Sequence, residues 1–214
     1  MERIEKTVIA EKRRGSFVFV GHHLCLDFIN TQKIASGKPL DLLPSFQALL
    51  TWFAAVGLLS EEQKKQSLEK WGETKAGAAV FQEALRLRAA CREITQALTE
   101  KRDVLESSIS TLNLLSSKMQ GYAQIVSGQK SFETHFFLDP KKAMYLLYPL
   151  VEAAIELVCT LDPALVKQCE NAPCILFFYD TTKNHRRRWC STRGCGNRAK
   201  VAAFYRRRKE KGQG

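Results

Sequence analysis

Four of the seven cysteines stand in two short pairs near the C-terminal end, Cys169-x4-Cys174 and Cys190-x4-Cys195, with fifteen residues between the pairs. Two thiol pairs joined by a segment of hairpin length suit one tetrahedral Zn²⁺, each pair taking one side of the metal at about 2.3 Å per Zn–S bond. The intervening chain supports this. Residues 175–179 are a strand-like apolar run, 180–184 (Asp-Thr-Thr-Lys-Asn) form a turn, and 187–189 return to the second pair. Gly194 and Gly196 flank the last ligand, where backbone must turn tightly around a metal. Residues 197–209 then read as a helix, with Val201, Phe204 and Tyr205 as its inward face. Knuckle, hairpin, knuckle and helix make a treble-clef-like module.

A segment this short buries little apolar surface, whereas structural zinc contributes roughly 10–16 kcal/mol to folding. Four thiolates also close the coordination shell and leave no position for a reactive water, so the ion is structural. An iron–sulfur cluster takes four cysteines as well, but two symmetric short pairs fit zinc better. His185, in the hairpin, reads as a solvent or phosphate contact rather than a ligand.

The charge is as unevenly placed as the cysteines. Residues 181–214 hold twelve of the 33 lysines and arginines and one of the 22 acids, so residues 1–180 carry 21 of each. The whole net charge of +11 lies in the tail, which implies a polyanionic partner. The candidates for that contact are Arg186, Arg187 and Arg188 in the hairpin and Arg198, Lys200, Arg206, Arg207 and Arg208 on the helix. Arginine grips phosphate through two parallel N–H donors and also reaches guanine edges. DNA is the first partner this predicts; RNA or an acidic protein is the alternative.

The remaining sequence excludes several classes. The first twenty residues are charged and lack an apolar signal core, which predicts a reducing cytoplasm where close-set cysteines bind metal. The most apolar window, 143–161, contains Pro149, Glu152 and Glu156 and reads as a core helix, not a membrane span. No Gly-rich phosphate loop or nucleophile–base motif is present, so no enzyme is predicted.

Periodicity gives the rest a mainly helical character. Helices are expected over 22–31, 45–56 (after Pro44, closed by Gly57), 61–71 (Ser60 and Gln63 as a capping box) and 104–115. The longest amphipathic helix is expected over 78–98, with Phe81, Leu85, Cys91, Ile94 and Leu98 inward and Arg86, Arg88, Arg92 and Glu93 largely outside. Gly37 and Pro39 mark a loop. Residues 122–126 and 131–137 read as a β-hairpin. Asp139-Pro140 should open a helix over 141–160, broken near Pro149, and Asp162-Pro163 a short turn. The expected fold is thus mainly α with a small β-hairpin: a helical N-terminal domain, 1–165, and the zinc module, 166–214.

Two motifs resemble known families. Arg187-Arg188-Trp189-Cys190-Ser191 followed by Cys195-Gly196-Asn197-Arg198-Ala199-Lys200 is similar to the CGNR-type zinc finger of bacteria. Residues 21–31, Gly-His-His-Leu-Cys-Leu-Asp-Phe-Ile-Asn-Thr, resemble the Leu-Asp-Phe-x-Asn-Thr signature of the ABATE domain, with Cys25 where a small apolar residue is usual. Together the resemblances span nearly the whole chain. They imply a stress-induced transcription regulator with a helical domain and a DNA-binding finger.

The N-terminal motif also clusters His22, His23, Asp27, Asn30 and Thr31 in an apolar stretch. Buried Asp and Asn need partners, so these residues form either an internal hydrogen-bond network or a small-ligand pocket that would make the protein a sensor. A homodimer would suit a palindromic DNA site, though no residue pattern specifies one.

Overall fold

A computed structural model describes residues 12–119, 121–128 and 131–211. The chain begins with an antiparallel pair, β1 (Lys12–Arg14) and β2 (Phe17–Phe19), followed by a one-and-a-half-turn helix, α1 (Leu24–Ile29). A second hairpin joins β3 (Gln32–Ala35) to β4 (Lys38–Asp41) through Ser36 and Gly37, both at positive φ. The loop expected at Gly37 and Pro39 is therefore the turn and edge of a small sheet. The glycine supplies the left-handed turn, and Pro39 sits on a two-stranded edge where its missing donor costs little.

Three helices follow. Ser45 caps α2 (Phe46–Val56) by accepting from the Ala48 N–H, and Gly57 ends it at φ 94°. Ser60 and Gln63 form a reciprocal capping box on α3 (Glu61–Trp71). The long helix α4 (Lys75–Glu100) begins at Thr74. Its inward face carries Val80, Ala84, Leu87, Cys91 and Ile94. Arg88 lies on that buried face too, correcting the expectation that it stays outside. Its guanidinium takes both carboxylate oxygens of Asp41, at 2.8 and 2.6 Å, and the Thr31 hydroxyl at 2.8 Å. Such a fork satisfies a buried cation that a hydropathy pattern places in solvent.

α5 (Glu106–Ser117) leads to the expected hairpin, β5 (Gly121–Ser127) with β6 (Phe132–Leu138), which stands away from the body with Tyr122, Ile125 and Phe132 exposed. Asp139 does not open a helix at 141. It caps a single turn through the Lys141 N–H, a 3-10 segment covers Ala143–Leu147, and α6 (Tyr148–Cys159) starts afresh with Pro149 in its first turn. Proline is tolerated there because that N–H has no helical acceptor. No helix among the described residues is long and apolar enough to cross a membrane.

The core centres on Trp52, whose ring lies 5.4 Å from Phe28, 5.8 Å from Phe53 and 6.4 Å from Phe19. Around it pack α1, α2, the middle of α4, and Leu147, Leu150, Val151 and Ala154. The last part of the chain contains β7 (Val166–Gln168), β8 (Phe177–Tyr179) and α7 (Asn197–Lys211). The fold is that expected, a helical body followed by a β-hairpin and helix carrying four cysteines. The hairpin's partners differ from expectation: β8 pairs antiparallel with β7. Residues 187–189 form no strand and touch the first knuckle instead, where the Arg188 carbonyl accepts from the Glu170 N–H.

Candidate metal centre

The first knuckle is the loop that joins β7 to β8. The Cys169 N–H donates to the Leu176 carbonyl and the Cys174 N–H to the Asn171 carbonyl, a tight turn that aims both sulfurs inward. The second knuckle starts at Ser191, whose hydroxyl accepts from the Gly194 N–H and whose carbonyl accepts from Gly196, just before α7 begins. The Asn171 amide donates to the Cys195 carbonyl at 3.2 Å and ties the knuckles together.

The sulfur atoms of Cys169, Cys174, Cys190 and Cys195 all lie within 4.8 Å of one another. Cys174 to Cys190 is 3.8 Å and Cys190 to Cys195 is 3.6 Å. Sulfurs at the corners of a tetrahedron with bonds of about 2.3 Å are about 3.8 Å apart, so the spacing fits one Zn²⁺ and is far too long for a disulfide. The acid–base balance points the same way. Hydrogen bonds from the Cys174 and Cys190 thiols pull Cys169 down to about 2. The bond to Cys169 pushes Cys174 up to about 12, and Cys190 is driven up by its bonds to Cys169 and Cys174 and by burial. A dication supplies the missing positive charge and is bound with proton release.

Arg198 completes the centre: its guanidinium donates to the Cys195 sulfur at 2.9 Å. Such outer contacts hold a ligand's orientation and offset the negative charge of four sulfurs around one dication. Arg187 is likewise turned inward. It donates to the carbonyls of Trp189, Cys190 and Val20 and lies 4.4 Å over the Phe178 ring. Its own N–H donates to Asp180 at 2.9 Å. Burial pushes the Asp180 carboxyl up, but the Lys167 ammonium, Thr182 and the Arg187 N–H outweigh it and hold it at about 2. Arg186 and Arg188 are exposed, Arg188 pairing with Glu170 at 2.6 Å. The His185 Nδ1 contacts the Asp180 carbonyl at 3.3 Å, and His185 is not among the clustered metal ligands.

The module is joined to the body by backbone and side-chain bonds that run like an extra strand along β8. The Tyr179 N–H donates to the Gly21 carbonyl at 2.8 Å. The Asn30 amide donates to the Phe177 carbonyl at 2.8 Å and accepts from the Phe177 N–H at 2.9 Å, copying the pattern of a paired peptide. Asp27 receives the Val20 and Gly21 N–H groups on one oxygen, at 2.9 and 2.8 Å. A Cβ on Gly21 would lie 2.8 Å from the Asp27 nitrogen, so the approach requires glycine. Thr31 donates to the Phe28 carbonyl and accepts from Arg88, and His23 lies 3.5 Å from Glu156. His23, Asp27, Asn30 and Thr31 of the N-terminal motif thus diverge to different partners. Asn30 was singled out by the sequence, but its contact across 147 residues carries no local signal.

α7 stands clear of both. Val201, Phe204 and Tyr205 are 46, 52 and 64% exposed, which corrects their assignment as an inward face. Arg206, Arg207, Arg208 and Lys209 are exposed as well, as are Arg198 and Lys200 at its base.

A helical body completed along one edge by a four-cysteine knuckle pair defines a zinc-finger protein with an attached α-helical domain. The chain belongs to the ABATE family, described as "Putative stress-induced transcription regulator", whose model matches residues 22–161, and the CGNR zinc finger matches residues 166–208. A comparison with curated proteins finds no match. The zinc finger carries one structural zinc ion on Cys169, Cys174, Cys190 and Cys195.

Proposed function

We propose that the chain regulates transcription by binding DNA through its zinc module and has no enzymatic activity of its own. The observation that carries this reading is the state of α7. Fifteen residues, about 22 Å of helix at 1.5 Å per residue, project from the second knuckle with cations and aromatic rings uncovered. An exposed, cationic helix anchored at one end fits a major groove about 12 Å wide. Arg206, Arg207 and Arg208 are the phosphate and base-edge contacts in this reading, joined by Arg186, Arg188 and Lys200. Arg187 and Arg198 serve instead to hold the finger together, as their contacts with carbonyls and sulfur support. Exposure of Phe204 and Tyr205 favours a second reading, in which the rings stack on unpaired bases of RNA.

The test is fluorescence anisotropy of the zinc-loaded chain on a duplex over a range of salt. Replacing Arg206, Arg207 and Arg208 with Ala should weaken binding at least about tenfold and flatten the log–log salt slope by roughly 3, about 0.9 per lost phosphate contact. An unaltered slope sinks the assignment. Displacement of the duplex by single-stranded RNA at lower concentration than by competitor duplex favours the second reading.

A further inference from the structure

Among the described residues, β5 is the one exposed strand with nothing to guard its edge. β1, β3, β4 and β7 each carry lysine or arginine, β4 also has Pro39, and β6 has Glu133. β2 and β8 are largely buried. β5, Gly-Tyr-Ala-Gln-Ile-Val-Ser, holds no charge and no proline, and six of its seven residues are exposed. Its register with β6 runs from Gly121–Leu138 to Ser127–Phe132 without a bulge. Charges, proline and bulges are the devices that stop an open strand edge from pairing with another chain. β5 has none of them.

The Gly128 N–H donates to the Ser131 carbonyl at 2.8 Å. Bonding alternates along an antiparallel pair, so the N–H and C=O groups of Ala123, Ile125 and Ser127 point away from β6. No strand among the described residues pairs with that edge. On one face of the hairpin Ile125 is 72% and Phe132 76% exposed, and no register position of that face is charged. A two-stranded hairpin is marginal in water by itself; further strands make it stable.

We propose that β5 docks a second copy of this chain, the two β5 strands running antiparallel to form one four-stranded sheet. Two observations choose a second copy over another protein. A register centred on Gln124 sets Ala123 of one copy against Ile125 of the other, and Gly121 against Ser127, so outward-facing groups meet along the whole strand. A two-fold contact also brings like residues together, and each copy carries a net charge of +11, so the contact needs a strand that contributes no charge; β5 contributes none. The two Ile125 side chains become diagonal neighbours on one face. One strand edge is smaller than a standard interface of about 800 Å² per partner, so the pair forms in the micromolar range. The inference goes beyond the regulator reading and requires no nucleic acid.

The test is sedimentation equilibrium of the zinc-loaded full chain, without nucleic acid, from about 1 to 100 μM. The mass should rise towards that of two copies. Ala123→Pro removes an outward N–H without touching the β5–β6 ladder, and Ile125→Lys sets two like charges side by side; each should weaken the pair at least about tenfold. Both side chains are exposed, so zinc content and circular dichroism should match the unmodified chain. Thr134→Pro makes the same backbone change on the free edge of β6 and should leave the pair intact. The Arg206→Ala/Arg207→Ala/Arg208→Ala variant should pair normally whatever happens to its duplex affinity, which separates failure of this edge from failure of the DNA reading. A monomer at every concentration overturns the proposal and leaves β5 to a different protein. So does a dimer that survives both β5 substitutions, or one that Thr134→Pro breaks as readily as Ala123→Pro.

Discussion

In the body, Trp52 is enclosed by Phe19, Phe28 and Phe53 and by aliphatic side chains from four helices. In the zinc module, three of the ligand cysteines are themselves core residues, packed with Val20, Leu176 and Phe178. The first region is held by the area it removes from water; the second has too little such area and is held by metal–sulfur bonds. The two clusters nevertheless interpenetrate. Val20, from the N-terminal part, packs with the sulfurs, whereas Val166 and Phe177, within the residues matched by the finger, pack into the body. The sequence boundary between the regions at 165 is therefore not a boundary in packing. The finger completes the body's edge, and the body supplies part of the finger's wall.

This contrast can be broken or sharpened, most severely by removing the metal. Chelation, or Cys190→Ser, should lower zinc from one per chain, abolish the near-ultraviolet signal of Trp189 and free α7, while most far-ultraviolet helical signal from the body survives. An unchanged Trp189 environment without zinc would mean that apolar packing alone holds the module.

Phe177→Ala comes next. It removes a ring that is 2% exposed, and truncation of a buried aromatic costs about 3–5 kcal/mol. The melting temperature should fall with zinc still bound at one per chain. A body that melts as before would show the two regions to be independent after all.

The third effect depends on pH. Burial pushes the Asp27 carboxyl from 3.8 up to about 7, against the opposing Gly21 and Val20 N–H groups and the Arg187 charge. A folded pKa above the unfolded one contributes stability that is complete below about pH 4 and is lost as the pH rises through 7. Three units correspond to up to about 4 kcal/mol. Asp27→Asn, whose amide oxygen can still accept both N–H groups, should be more stable than the unmodified chain at pH 8, with the gap narrowing as the pH falls and closing below about pH 4. A gap that widens on acidification would contradict this environment for Asp27. The smallest effect belongs to Asn30→Ala, which strands the Phe177 N–H and carbonyl at the seam and should cost about 2–3 kcal/mol in chemical denaturation. A cost near zero would show that water replaces the amide there.

Much of this was readable in the chain because its signals are local. Ser60, Gly57 and Pro149 act within one helical turn, and each sits at the end of the element it defines. The two Cys-x4-Cys pairs needed only a hairpin's length of chain to meet. The β5–β6 hairpin announced itself through neighbouring apolar strands. Arg88 could not be read this way, because its counter-charge Asp41 is 47 residues distant and a charge on a helix pattern reads as solvent-facing. The exposure of Phe204 and Tyr205 was equally hidden, since a short apolar row on a helix does not reveal whether anything lies opposite it.

By itself, the amino-acid order determined which atoms bind the metal, where most helices start and stop, and where the positive charge collects, for these follow from near-neighbour chemistry. Only the tertiary structure decided that β8 pairs with β7, that Asn30 mimics a strand beside it, and that Arg187 and Arg198 turn towards carbonyls and sulfur. Such choices depend on which distant groups share a low-dielectric interior, where an unpaired polar atom is costly, and that is known only once the chain has folded.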